Sequence, residues 1–437
     1  MASTAIMISD TVKRDVVYST KCFDEKPLDA NTQLLVEYSV MALEHRLASG
    51  PGDIHDVITA PVLLAIAGVG SFIQTLMGLV PDNRPDPVVE KFKQLEKAIG
   101  ELDEKMTVHF ADMQTFITEH NFNVNIMTQA STLMQFMRNC LAYATESDVE
   151  NFKDAYEQNN PLSLAYSMAS LLETRSTNPL IMAMSGEKAK TKTTFNKWKT
   201  IITGILGEFL FMETFASGLL KKGELNRNLI VNQWNELTKS LEQWENEYKN
   251  DGEYWNELKG DFEKYISNST HLNNIEKGQE IKKRLDNYLT HDSFYICVFN
   301  ETKWDKDYTY YCPNEKDQLI GAWGKGRCNA FVYRSRKGGK LNQDAYQNLR
   351  VQIRNAEDKL RWNGSLKNII KEQLLNKSLV TGHGFYCLMG AMHCDPQIYF
   401  LNSPAPDWLN KGPGHLQMMH MGRDGGFEEY NFMVGFN

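Results

Sequence analysis

Between Asp56 and Asp82 the chain runs for 25 residues, VITAPVLLAIAGVGSFIQTLMGLVP, without a charge. About 20 apolar residues in a helix are enough to cross the hydrocarbon core of a bilayer. The stretch therefore leaves two kinds of fold open. Either it is a permanent core element, or it is a membrane-seeking element kept covered in water. Pro61 and the small residues Gly68, Gly70, Ser71 and Gly78 interrupt it, as an apolar hairpin or a broken helix requires. Leu63, Leu64, Ile66, Val69, Phe72, Ile73, Leu76 and Leu79 carry its apolar surface. They are the residues expected to enter lipid in the second case.

A sharply patterned helix follows the turn VPDNRPDP. Phe92, Leu95, Ile99, Leu102, Met106, His109, Met113, Phe116 and His120 recur in steps of three and four. Such steps place one face of a helix against a partner, as in a coiled-coil seam. The spacing predicts further helices over 122–145, Ser147–Tyr156, Leu162–Leu172, 187–222, 225–250, Tyr254–Ile266 and Ile275–Leu289. The 225–250 helix carries a second seam of Ile230, Trp234, Leu237, Leu241, Trp244 and Tyr248. The centre of the 187–222 helix, IITGILGEFLFMETFASGLL, is apolar but holds Glu208 and Glu213. A carboxylate at mid-bilayer costs about 2.5–3.5 kcal/mol or more, so this helix is expected to be a buried core helix with solvent-facing or capped acids and not a span.

The pattern changes near Asp292. FYICVF, DYTYYC, CNAFVYR, FYCLM, QIYFL and EYNFMVGF are short, aromatic or β-branched, which reads as strands. A helix is predicted between them over 344–379. The expected fold is thus mainly α: an elongated bundle of long helices over 1–290, with an α+β head over 291–437.

Charge is unevenly spread within a net of −8, with 15 Lys/Arg against 7 Asp/Glu over residues 303–371. An acidic whole argues against a nucleic-acid partner. Trp304, Tyr308, Tyr310 and Tyr311 combine apolar area with a polar handle. With Arg334 and Arg336, expected on a basic loop, they are candidates for a surface that meets a glycan or a lipid headgroup. The opening MASTAIMISDTVKRD lacks a basic n-region and an apolar h-region, so the expected setting is cytoplasmic, or non-classical release to act at membranes.

No catalytic motif survives inspection. Lys325 in GKGRC and Lys340 in RKGGK lack the phosphate-loop frame, and there is no Gly-x-Ser-x-Gly or His-Glu-x-x-His. His383, Cys387, His393 and Cys394 fall together in the chain, but FYCLM reads as a strand and their spacing fits no common zinc frame. The expectation is a protein that is not an enzyme and holds no metal or cofactor.

The stretch GVGSFIQTLMGLVPDNRPDPVVEKFKQLEKAIGELDEKMTVHFADMQTFI joins a glycine-broken apolar segment, a proline turn and a helix built on Phe92, Leu95, Ile99 and Leu102. It resembles the rapunzel and cephalotoxin-like family over roughly residues 55–290. That resemblance implies a helical body similar to α-helical pore-forming toxins, with the apolar segment tucked against it, and no enzyme activity. The function expected is therefore a membrane-active protein whose apolar hairpin inserts after surface recognition and homo-oligomerisation. The alternative is a non-lytic helical scaffold in which the apolar run is permanent core.

Overall fold

The computed structural model describes Glu96, Lys97, Gly100 and Glu104, and then residues 117–143, 145–220, 226–249, 253–300, 308–311, 316–325, 328–336, 344, 347–348, 351, 385–390, 396–402, 415–421 and 427–435. Contacts divide the chain into two compact units, Met1–Gly186 with Thr193–Trp244, and Glu187–Lys192 with Glu245–Asn437. The described chain is mainly α with antiparallel sheet. The expected inserting residues, Leu63 to Leu79, lie outside the described residues, as do the seam positions Phe92, Leu95, Ile99, Leu102, Met106, Met113 and Phe116, and Trp304.

Among the described residues from Ile117 on, the helices of the first unit are α1 (Ile117–Phe122), α2 (Thr128–Tyr143), α3 (Glu146–Gln158), α4 (Pro161–Glu173), α5 (Pro179–Gly186), α6 (Lys192–Leu219) and α7 (Arg227–Lys249). The first residue of α6 and the last turns of α7 fall in the second unit. A π-helical turn, Asn123–Met127, joins α1 to α2. Widening a helix by one residue per turn shifts the face that follows it. Ile126 and Met127 are accordingly buried while Val124 is exposed. Beyond the turn Leu133, Met134, Met137 and Leu141 are all buried, as one apolar face of the helix expected over 122–145. Arg138 reaches back from α2 to Glu96, Nε to Oε1 at 2.8 Å.

Local chemistry sets the helix ends. Thr145 and Asp148 form a reciprocal capping box at the start of α3. Asn160 accepts from the Ser163 amide and Pro161 opens α4. Asn178 is fully buried and works in two directions: its Nδ2 donates to Leu172 O at 2.6 Å, and its Oδ1 accepts from the Ile181 amide at 3.0 Å. One side chain thereby closes α4 and opens α5. The α5 helix was not expected from the sequence, because LIMAMSG shows no one-sided pattern.

In the second unit, α8 (Tyr254–Asn268) and α9 (Asn274–Asp286) precede β1 (Ser293–Asn300). The remaining strands are β2 (Tyr308–Tyr311), β3 (Leu319–Lys325), β4 (Cys328–Ser335), β5 (Phe385–Gly390), β6 (Gln397–Leu401), β7 (His415–Met421) and β8 (Phe427–Gly435). They form two antiparallel sheets of order β3-β4-β1-β6 and β2-β5-β8-β7. In the first sheet α8 packs on β3 and β4, and α9 on β1 and β6. Trp255, Phe262, Ile281, Phe294, Ile296 and Val332 are among the residues that fill the space between. The other face of β1 is buried as well, where Tyr295 stacks on Phe331 at 6.0 Å and meets Phe400 edge-on at 4.8 Å. A strand covered on both faces reads as a continuous apolar run, which FYICVF is.

Gly278 lets α9 approach β6. A Cβ built there would lie 2.1 Å from Cε2 of Tyr399, and the Tyr399 hydroxyl is tied to Ile275 O at 3.2 Å. Glycine to alanine in a helix interior ordinarily gains up to about 1 kcal/mol. Here Gly278→Ala is expected to lose about 1–3 kcal/mol, because the ring must be displaced. Urea denaturation checks the sign.

Candidate functional site

The centre of the first unit is α6. Its 28 residues span about 42 Å at 1.5 Å per residue. It is the one helix among the described residues long and apolar enough to cross a membrane, with 89% of its most apolar 18-residue window buried. Aromatic side chains wrap it: Phe122 meets Trp198 edge-on at 5.9 Å, and Phe152 meets Phe215 at 5.3 Å. From Ile201 onward it is buried on nearly every side and has no polar face to give its acids, so Glu208 and Glu213 are both inside.

Glu213 is held in place. The Tyr156 hydroxyl on α3 lies 3.0 Å from both carboxylate oxygens and donates across them. The amide N–H of Asn226, just ahead of α7, donates to Oε1 at 2.7 Å. Three segments therefore meet at one carboxylate. Burial raises the Glu213 pKa above the usual carboxyl range, and the hydrogen bonds from Asn226 and Tyr156 oppose that rise only in part. Burial also raises the Tyr156 phenol, and the neighbouring Glu213 adds to it. The sequence expectation of capped acids on a buried helix holds for Glu213, although its partners lie 57 and 13 residues away.

In the second unit the basic residues separate. Arg336 is exposed just beyond β4. Arg334 does not lie on an exposed loop: it sits within β4 and is 3% exposed. Its Nε donates to Gln318 Oε1 at 2.5 Å, and its Nη1 is 3.5 Å from Asp292 Oδ2. Its guanidinium lies over Trp255 at 4.6 Å and Tyr254 at 5.6 Å. Tyr254 in turn donates to Asp292, and Trp255 Nε1 donates to Asp317 O at 3.0 Å. A planar cation set over two rings and bonded through its Nε is a structural tie, so Arg334 is not free to meet a ligand. Tyr308, Tyr310 and Tyr311 lie in β2, paired with Met389, Cys387 and Tyr386 of β5. Cys387 is thus in a strand as expected, and the described residues contain no cluster of three or more metal-ligand side chains. His383, His393 and Cys394 lie outside the described residues.

The second unit also holds a cavity of about 460 Å³. One wall is the segment Glu187–Lys192, which pairs with the end of α9: Lys192 N donates to Asn287 O at 2.6 Å and Leu289 N to Lys190 O at 2.9 Å. The other walls are α8 and α9, with Val332 of β4 at the floor. Leu258, Phe262, Ile281 and Leu285 line the interior, and Glu257, Asp261, Lys188 and Arg284 bring charge to it. Nothing in the sequence pointed to this cavity, because its walls come from three separate stretches of chain.

No curated protein and no solved structure matches the chain. A family model described as "Protein of unknown function (DUF684)" matches residues 90–428, covering α1 to α9 and most of the sheet strands. By that match over most of its length, the chain belongs to the DUF684 family.

Proposed function

We propose that the protein is membrane-active and not an enzyme. In this reading the helices of the first part form an elongated bundle that covers the apolar run 57–80 in water. The α+β part recognises a surface, and homo-oligomerisation releases the run into lipid. The observation that carries the proposal is that the sequence holds the uncharged stretch Val57–Pro81 in addition to the apolar helix α6. The first unit already has a long apolar helix at its centre. A second stretch of span length, broken by glycines and feeding a seam helix, is suited to move. Entry of its apolar surface into hydrocarbon, at roughly 25 cal/mol per Å², offsets the packing it leaves. The resemblance to rapunzel and cephalotoxin-like proteins belongs to this proposal.

Dye release from liposomes tests it. The intact chain is expected to release dye from at least one lipid mixture, and a chain lacking residues 57–80 is expected to release none. Absence of release from every mixture, at every pH tried, sinks the proposal.

The Glu213 site favours a second reading, a non-lytic helical scaffold. A carboxylate tied to α3 and to the start of α7 holds those helices to the core. Val69→Asp separates the two readings. In the membrane reading the variant stays folded and loses lipid binding; in the scaffold reading it unfolds.

A further inference from the structure

The cavity of the second unit carries unneutralised charges of both signs. Glu257 and Asp261 stand one turn apart on the same side of α8. Among the described residues the Glu257 side chain has no hydrogen bond or ion pair, and Asp261 has only an exposed contact with Lys264 at 3.5 Å. On α9 the Arg284 guanidinium lies over the Tyr265 ring at 4.4 Å and pairs with no carboxylate among the described residues. Lys188 likewise has no carboxylate partner among them, whereas Glu187 is engaged by the Thr191 amide at 3.1 Å. Glu257, Asp261, Arg284 and Lys188 are all exposed, where an ion pair contributes little, so their charges stay available to a ligand. Tyr288 lines the same recess. Burial raises its phenol, Arg284 opposes the rise, and Glu257 and Asp261 add to it, so charges of both signs act on one ring.

Carboxylates beside an aromatic wall suit an ammonium group, and a guanidinium suits an oxyanion. The volume, about 460 Å³, is within the range of small-ligand sites. We propose that this cavity binds a phosphocholine-type zwitterion, its ammonium group held by Glu257, Asp261 and Tyr288 and its oxyanion by Arg284 and Lys188. The shared chemistry is available from a free solute or from a lipid headgroup. The site lies within the second unit, so its occupancy does not depend on whether residues 57–80 enter lipid.

Titration calorimetry on the full chain with free phosphocholine tests the proposal. Saturable binding is expected. Choline alone and inorganic phosphate alone are expected to bind at least about tenfold more weakly, each having one half of the recognition. The double variant Glu257→Gln, Asp261→Asn is expected to weaken phosphocholine binding about tenfold or more, with an unchanged melting profile, since both side chains are exposed. Lys188→Gln, also exposed, gives an independent variant on the anion side. Flotation with phosphatidylcholine and phosphatidylglycerol vesicles separates the sources. Capture on phosphatidylcholine alone, lost in the double variant, identifies a headgroup. Binding of free phosphocholine without such capture identifies a solute. No binding of phosphocholine, or binding unaffected by all these variants, overturns the proposal. Dye release is read separately, so a dry cavity and a non-lytic chain are distinguishable results.

Discussion

Arg334→Ala is expected to destabilise the second unit by about 3–5 kcal/mol, the cost of breaking a buried charge pair by removing one partner. The substitution leaves Gln318, 4% exposed, without its donor, and leaves the Asp292 carboxylate, whose side chain is 13% exposed, without its cation. It also opens a gap against Trp255 and Tyr254. Arg334→Lys is expected to recover little of this. An ammonium lacks the planar fork that covers the Trp255 ring while bonding Gln318 and facing Asp292. Urea midpoints measure the loss, and near-UV circular dichroism reports it directly, because Tyr254 and Trp255 are the rings displaced. A loss under about 1 kcal/mol is the signature of an exposed surface cation and contradicts the buried tie.

The second large effect belongs to Glu213. Glu213→Ala removes the acceptor of both the Tyr156 hydroxyl and the Asn226 amide and leaves a gap within α6. A loss of about 3–5 kcal/mol is expected, combining unsatisfied buried donors with an unfilled cavity. Glu213→Gln keeps the shape and one acceptor, and should cost far less. The two variants also part in their response to pH. Burial raises the Glu213 pKa in the folded state. Between the ordinary carboxyl value and that raised value the native state binds more protons than the unfolded state. Stability from this group is therefore greatest below the ordinary carboxyl value and falls as pH rises through the folded one. Glu213→Gln has no such proton, so its stability should be flatter over the same window. Urea midpoints at a series of pH values, wild type against Glu213→Gln, give the comparison. A steeper decline in the variant contradicts a raised pKa.

These two sites differ in how far the sequence exposes them. Glu213 announces itself as an acid in an apolar helix, and the need for a partner follows from the cost of burying a charge. Its partners do not, because Tyr156 and Asn226 are ordinary residues in their own segments. Arg334 reads wrongly on its own. It is followed by Ser335, Arg336 and Lys337, which suggests a solvated loop. Only the pairing of β4 with β1 and β3, and the packing of α8 across them, shows that this arginine is enclosed.

Helices with one apolar face were legible in the chain. In α7 the seam residues Ile230, Trp234, Leu237 and Leu241 are buried as their spacing requires, and the Asn160-Pro161 start of α4 is a local signal that holds wherever it stands. FYICVF and CNAFVYR likewise appear as β1 and β4. By contrast β3 and β7 were missed. LIGAWGK carries two glycines, and HLQMMHM has no β-branched residue, so neither has strand propensity of its own. Their neighbours in the sheet make them strands. The turn at Asn123–Met127, the closeness of Gly278 to Tyr399 and the cavity beside Tyr288 follow the same rule. Periodicity and capping act within a few residues, and a chain displays them directly. Strand order, buried ion ties and cavities are made by segments tens to a hundred residues apart, and their energies exist only once those segments touch.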